Sequence, residues 1–143
     1  MDLDVLKQTA KEDLPIIDYE GIDQESYKNQ TIKQKWLNHK ADFELLLVKA
    51  KTDHQLLYRQ KWEYYGGKSD AKVYVAKPFD IKVMKTDLAM YIQSDEDILR
   101  LSNKIGYYES CVDYCKGVIK SIDNRGWDIK HSIEWKKFEA GMI

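Results

Sequence analysis

The sequence predicts a mainly α protein built from long helices, and three observations carry that expectation. Only 2 prolines and 7 glycines interrupt 143 residues. Apolar residues recur at every third or fourth position over two long stretches, which is the period of a helix face. The composition, 43% hydrophobic and 33% charged, suits a helical chain with a broad solvated surface rather than a disordered one. The length is that of a single domain, 1–143, with a modest core.

The first segment, 1–22, reads as an acidic N-terminal arm. Residues 1–13 fit a short amphipathic helix, and Pro15 and Gly21 break the chain into a linker over 14–24. Over 23–65 no proline or glycine occurs, and Trp36, Phe43, Ala50, Leu57 and Tyr64 recur every seventh residue. This is one long helix with an apolar stripe, ended by Gly66-Gly67. Residues 66–93 read as loop or irregular structure. Within them Val73-Tyr74-Val75 is strand-like and allows a short β-hairpin or edge strand, whereas Ile81 to Gln93 fits neither period and stays open.

The C-terminal region, 94–143, carries the clearest pattern. Ser94 and Asp97 form an N-terminal capping signal, and Asp95 and Glu96 favour the helix dipole. Ile98, Leu101, Ile105, Tyr108, Val112, Cys115, Ile119 and Ile122 then alternate steps of three and four, a heptad seam. Asn124-Arg125-Gly126 is a stop signal, with a last helix from about Asp128 to Ala140 whose Ile129, Ile133 and Trp135 share a side. Such a seam packs either on the same chain's long helix or on neighbouring copies. The chain has few elements to cover two long stripes, and a sustained 3.5-residue period favours supercoiled neighbours. The seam is therefore read as an oligomerisation surface closing a ring of identical subunits.

The net charge of -1 hides an uneven distribution. Residues 1–25 hold eight acids against Lys7 and Lys11, a net -6; residues 49–85 hold nine bases against four acids, a net +5. One side suits an anion and the other a basic partner, although two ordinary solvated surfaces give the same numbers.

Several chemistries are disfavoured. No apolar run approaches the roughly 20 residues of a membrane span, and the acidic N-terminus lacks a signal-peptide layout. An intracellular protein is expected, with Cys111 and Cys115, four apart on a helix, as reduced buried thiols. Gly67-Lys68-Ser69 looks like the end of a phosphate loop, but Trp62 stands where that loop needs its first glycine. His39, His54 and His131 are scattered, so no metal site is expected. No nucleophile is flanked as catalysis requires. The reading is of a protein that is not an enzyme and needs no cofactor.

One cluster points to a ligand. Tyr58-Arg59-Gln60-Lys61-Trp62-Glu63-Tyr64-Tyr65, followed by Gly66-Gly67-Lys68, interleaves cations and rings where a helix opens into a loop. Single-stranded nucleic acid requires both: cations neutralise phosphates and release counterions, and aromatic faces stack on bases. Arg59, Lys61, Tyr64, Tyr65 and Lys68 are the candidate contacts. The competing reading makes Trp62 and Tyr64 core, with Arg59 and Lys61 laid along it.

A set of ordered residues adds a resemblance. They are Lys35-Trp36-Leu37-Asn38, Tyr64-Tyr65 with Gly67, Met84-Lys85-Thr86, then Tyr107, Asp113, Cys115 and Gly117. Arg125-Gly126 with Ile129-Lys130-His131 and Phe138-Glu139-Ala140-Gly141 complete it. From about residue 30 onward, in this order and spacing, the chain resembles the UvsY family of recombination mediators of T4-type tailed phages. The resemblance implies ring-like hexamers or heptamers that bind single-stranded DNA in the cytoplasm of the infected host. It also implies contacts with the phage single-strand-binding protein and the phage recombinase, displacing the first and nucleating filaments of the second, without ATPase activity. The family's two DNA-contacting cations fall on Arg59 and Lys61 with the types exchanged, and Trp62 replaces a smaller apolar residue. Its self-association maps mainly to the C-terminal region. The acidic N-terminal segment would then dock a basic partner face. The alternative is a helical structural or adaptor protein whose seam binds another helix and which ignores DNA.

Overall fold

The computed structural model describes residues 1–16 and 20–141. Asp18, counted among the N-terminal acids, and part of the 14–24 linker lie outside the described residues. Five helices follow in order: α1 (Leu3–Asp13), α2 (Ile22–Tyr65), α3 (Ala71–Ala76), α4 (Leu88–Gln93) and α5 (Glu96–Glu139). No strand occurs among the described residues. The chain divides into two compact units, one of Met1–Glu44 with Glu109–Ile143 and one of Leu45–Tyr108. Among the described residues, no helix is long and apolar enough to cross a membrane.

In the first unit, Asp2 caps α1 by accepting the Val5 amide at 2.9 Å. Leu6 and Ala10, one turn apart, are buried. The Trp36 indole, fully buried on α2, donates to Asp13 Oδ2 at 3.0 Å, and the Lys35 ammonium reaches the same oxygen at 2.6 Å. One carboxylate at the end of α1 thus satisfies the only donor of a buried tryptophan. On α5, Cys111, Val112, Cys115, Val118, Ile122 and Ile129 are buried at helical spacing. Neither cysteine is in a disulfide, and burial pushes the Cys115 thiol up to about 11, which keeps it protonated and unreactive.

Arg125 is the polar centre of this unit. Its guanidinium pairs with the Glu25 carboxylate, both side chains being almost wholly buried. It also donates to the Glu25 carbonyl at 3.2 Å, to Asn29 Oδ1 at 3.0 Å and to the Leu14 carbonyl at 3.2 Å. Three stretches of chain are tied by one fork of donors.

The run Asn124-Arg125-Gly126 does not stop α5, which continues through it to Glu139. Gly126 is not in the left-handed region; a Cβ there would lie 3.3 Å from Asn29 Nδ2, which itself donates to the Ile122 carbonyl at 3.2 Å. The glycine admits a neighbouring side chain, and burial of Arg125 and Ile129 offsets the roughly 1 kcal/mol that a mid-helix glycine costs.

In the second unit, α2 ends in a Schellman turn. The Lys68 amide donates to the Glu63 carbonyl at 2.8 Å and the Gly67 amide to the Tyr64 carbonyl at 3.2 Å, with Gly67 at φ 75°. Tyr64, buried, stacks on Tyr74 with centroids 5.4 Å apart and also meets Tyr65 and Phe79. Its hydroxyl donates to the Lys77 carbonyl at 3.0 Å, and the Tyr74 hydroxyl donates to the Tyr64 carbonyl at 2.8 Å.

These contacts explain a second difference from the sequence reading. Val73-Tyr74-Val75 is helical, in α3, and no hairpin forms. A strand there would need a partner to take its backbone bonds, whereas a short helix satisfies them locally and delivers Tyr74 to Tyr64. The region read as loop, 66–93, also holds α4, whose Leu88 and Ile92 are buried. A third difference lies at the start of α5. Ser94 closes α4, its hydroxyl donating to the Met90 carbonyl at 2.7 Å, and Asp95 is the cap, accepting the Asp97 amide at 2.9 Å.

Candidate nucleic-acid interface at the end of α2

Residues two apart on a helix point to nearly opposite sides. Arg59 and Lys61 are such a pair, and the second unit treats them differently. The Arg59 side chain is 73% exposed and makes only a loose i, i+4 contact with Glu63 at 3.9 Å. The Lys61 side chain is 12% exposed, with its ammonium 2.9 Å from Asp97 Oδ2 and 3.3 Å from Asp95 Oδ2. Tyr65 donates its hydroxyl to the same Asp95 oxygen at 2.6 Å.

The electrostatics of this inner knot are self-consistent. Burial alone would lower the Lys61 pKa, but hydrogen bonds to Asp97 and Asp95 outweigh it and raise the pKa above the ordinary lysine value. Burial would raise Asp95, and bonds from Tyr65, the Asp97 amide and Lys61 bring it down instead. The Lys61 bond likewise lowers Asp97. Burial, and then the bond to Asp95, raises the Tyr65 phenol. Lys61 is thus charged and held against the start of α5, where Asp95 also caps the helix.

The outer face is built from Arg59, Trp62 and Lys68. Trp62 is one turn from Arg59 and 39% exposed. The Schellman turn brings Lys68 back until its ammonium sits 4.4 Å over the Trp62 ring. Gly66 and Gly67 make this return possible: a Cβ on Gly66 would come within 2.8 Å of the Trp62 carbonyl, and Gly67 needs positive φ. An open groove of about 520 Å³ at this helix end is lined by Lys61, Tyr64, Lys68 and Lys77 together with the acids Glu63, Asp70 and Asp97, and not by Arg59 or Trp62.

Of the five candidate contacts, the structure places Arg59 and Lys68 outward, Lys61 and Tyr65 in the carboxylate knot, and Tyr64 in the aromatic core. Asp95, Asp97 and Phe79 were not singled out as partners of this segment. They lie 14 or more residues beyond Tyr65, and only tertiary packing brings them in. Of the seam residues, Ile98, Val112, Cys115 and Ile122 are buried, while Leu101, Ile105, Tyr108 and Ile119 are half-buried.

The fold is that of a known class of recombination protein. It is similar to the bacteriophage T4 recombination mediator protein UvsY in two crystal forms. In one the TM-score is 0.85 at 25% identity, covering 98% of both chains. In the other it is 0.83 at 23% identity, covering 97% of this chain and 99% of that one. In sequence, the chain is 27% identical to the recombination protein uvsY of Enterobacteria phage T4 over 141 residues, 99% of each. The chain belongs to the family described as recombination, repair and ssDNA binding protein UvsY, matched over residues 9–142.

Proposed function

We propose that the chain is a recombination mediator that assembles as a ring-like homo-oligomer on single-stranded DNA, displaces single-strand-binding protein and promotes recombinase filament assembly. The observation that carries this reading is the outward Arg59–Trp62–Lys68 face on a chain of this family. Arg59 and Lys68 meet phosphates, Trp62 offers its ring to a base, and Lys61, Tyr64 and Tyr65 hold the helix end that presents them. One subunit's two outward cations bind weakly; linked copies bind strongly through effective concentration.

Apolar surface for neighbouring copies is available in the second unit. On α2, Leu45, Val48 and Leu56 are exposed at intervals of three and eight residues, and on α5 Leu101, Ile105 and Tyr108 of the seam are half-buried. Ile98, Val112, Cys115 and Ile122 contribute by fixing α5, and Ile119 borders the same seam.

The test is binding to a labelled single strand over a range of salt, comparing the chain with Arg59→Ala/Lys68→Ala at matched oligomer size. Loss of two phosphate contacts is expected to make the slope of log K against log salt shallower by about 1.4 per engaged subunit. An unchanged affinity and slope would place the DNA surface elsewhere; no binding by the unaltered chain at low salt would leave the adaptor reading.

A further inference from the structure

The groove at the end of α2 holds an anion of the protein's own. Three lysines, Lys61, Lys68 and Lys77, line it against three acids, Glu63, Asp70 and Asp97. Among the described residues, Asp97 is the one of these acids in ion-pair contact with a lysine of the groove. Its Oδ2 lies 2.9 Å from the Lys61 ammonium, and its Oδ1 lies 3.5 Å from Arg100, whose side chain is 78% exposed. Asp95 Oδ2 is the other partner of Lys61, at 3.3 Å.

The two carboxylates differ in what the fold asks of them. Asp95 is buried, accepts the Tyr65 hydroxyl and caps α5. It also supplies the one buried counter-charge that one ammonium needs. Asp97 is 45% exposed in its side chain, and among the described residues its carboxylate accepts only from Lys61 and Arg100. The helix dipole favours an acid at the start of α5, but Glu96 already supplies one. The dipole does not account for a contact with a lysine 36 residues away. One ammonium against two carboxylates leaves this knot at a net -1, which the exposed Arg100 offsets only weakly. A phosphate approaching Lys68 along the groove therefore meets a like charge, and the lysine that could join Lys68 is already held.

We propose that Asp97 is an internal competitor of the strand: its carboxylate holds the Lys61 ammonium in place of a phosphate and keeps the affinity of each subunit low. Carboxylate and phosphate make the same kind of charge-assisted bond to an ammonium, so one excludes the other. Lysine suits the role, being a compact charge on a flexible stem. A chain that must pass its strand to a recombinase is served by weak sites. Summed over linked copies they hold the strand, and each lets go by itself. This inference rests on the single-strand reading above and names a residue that regulates that site.

The experiment titrates the full chain and Asp97→Asn with fluorescein-labelled oligothymidylate over a range of salt, with sedimentation to measure oligomer size. Asparagine keeps the shape and removes the charge. Binding is expected to tighten about fivefold at low salt, the effect of one exposed ionic contact. The slope of log K against log salt should steepen by up to about 0.7 per engaged subunit. Tighter binding cannot come from a chain that has unfolded. Asp97→Ser should repeat the gain, and Asp97→Glu, which keeps the charge, should restore the weaker binding. In a Lys61→Gln background the gain should shrink to that of Asp70→Asn, which removes an acid from the same groove without touching Lys61. Unchanged or weaker binding by both Asp97→Asn and Asp97→Ser overturns the proposal, as does a full gain in the absence of Lys61. So does a gain that appears only with a changed subunit number. If neither the unaltered chain nor Asp97→Asn binds the strand at low salt, the single-strand reading itself fails.

Discussion

Replacing Arg125 with alanine is expected to cost about 3–5 kcal/mol of stability, the range for breaking a buried ion pair by removing one partner. The reason is what remains. The Glu25 carboxylate, 3% exposed as a residue, would lose its buried partner and keep only the exposed Lys28 ammonium at 3.5 Å. The Leu14 and Glu25 carbonyls and Asn29 would each lose a donor. The double variant Glu25→Met/Arg125→Met removes both charges and restores similar volume, and should regain most of the loss. Urea unfolding at fixed protein concentration reads both, since assembly makes apparent stability concentration-dependent. An Arg125→Ala chain within about 1 kcal/mol of the original would show that the pair does not hold the first unit together.

Lys61→Ala should act on stability and on DNA in a way that separates it from Arg59. Removing the ammonium leaves Asp95, whose side chain is 2% exposed, without its cation, and leaves Asp97 with the exposed Arg100 alone, at 3.5 Å. The dipole at the start of α5 still favours negative charge there, so the expected loss is about 2–3 kcal/mol, below the full cost of an orphaned buried pair. Single-strand affinity should fall because the end of α2 loosens, while the salt slope stays as it was. Arg59→Ala should do the reverse, leaving stability almost untouched and making the slope shallower by about 0.7 per engaged subunit. Thermal unfolding beside salt titrations distinguishes them. A stable Lys61→Ala chain with a shallower slope would mean that Lys61 leaves its carboxylates to reach phosphate.

The long helix α2 was legible because local signals suffice for it: a stretch free of proline and glycine, a stripe of period seven, and Gly66-Gly67 at its end; of α5 only the start and the stretch before Asn124 were. Other readings went astray where one local signal has two tertiary meanings. A glycine in a helical run ends the helix or admits a neighbour, and Asn29, nearly a hundred residues from Gly126, decides which. β-Branched residues around Tyr74 suit a strand, but the stacking of Tyr74 on Tyr64 fixes α3 instead. At the cation–aromatic segment, the residue types and the end of the helix were legible and direction was not. The helical repeat separates Arg59 from Lys61, yet which side faces solvent depends on Asp95 and Asp97, more than thirty residues on. Trp135 was read on one side of a last helix with Ile129 and Ile133, yet Ile129 is buried and Trp135 is exposed, because burial is a property of the folded unit.

The central claim is that this chain opens coated single-stranded DNA to a recombinase. The most direct measurement is the lag before strand-dependent ATP hydrolysis by the phage recombinase, on a strand already saturated with single-strand-binding protein. With the chain present the lag should shorten, and with Arg59→Ala/Lys68→Ala it should return towards the value without the chain. A lag that stays the same while the chain demonstrably occupies the strand would contradict the account: it would then be a single-strand-binding protein that mediates nothing.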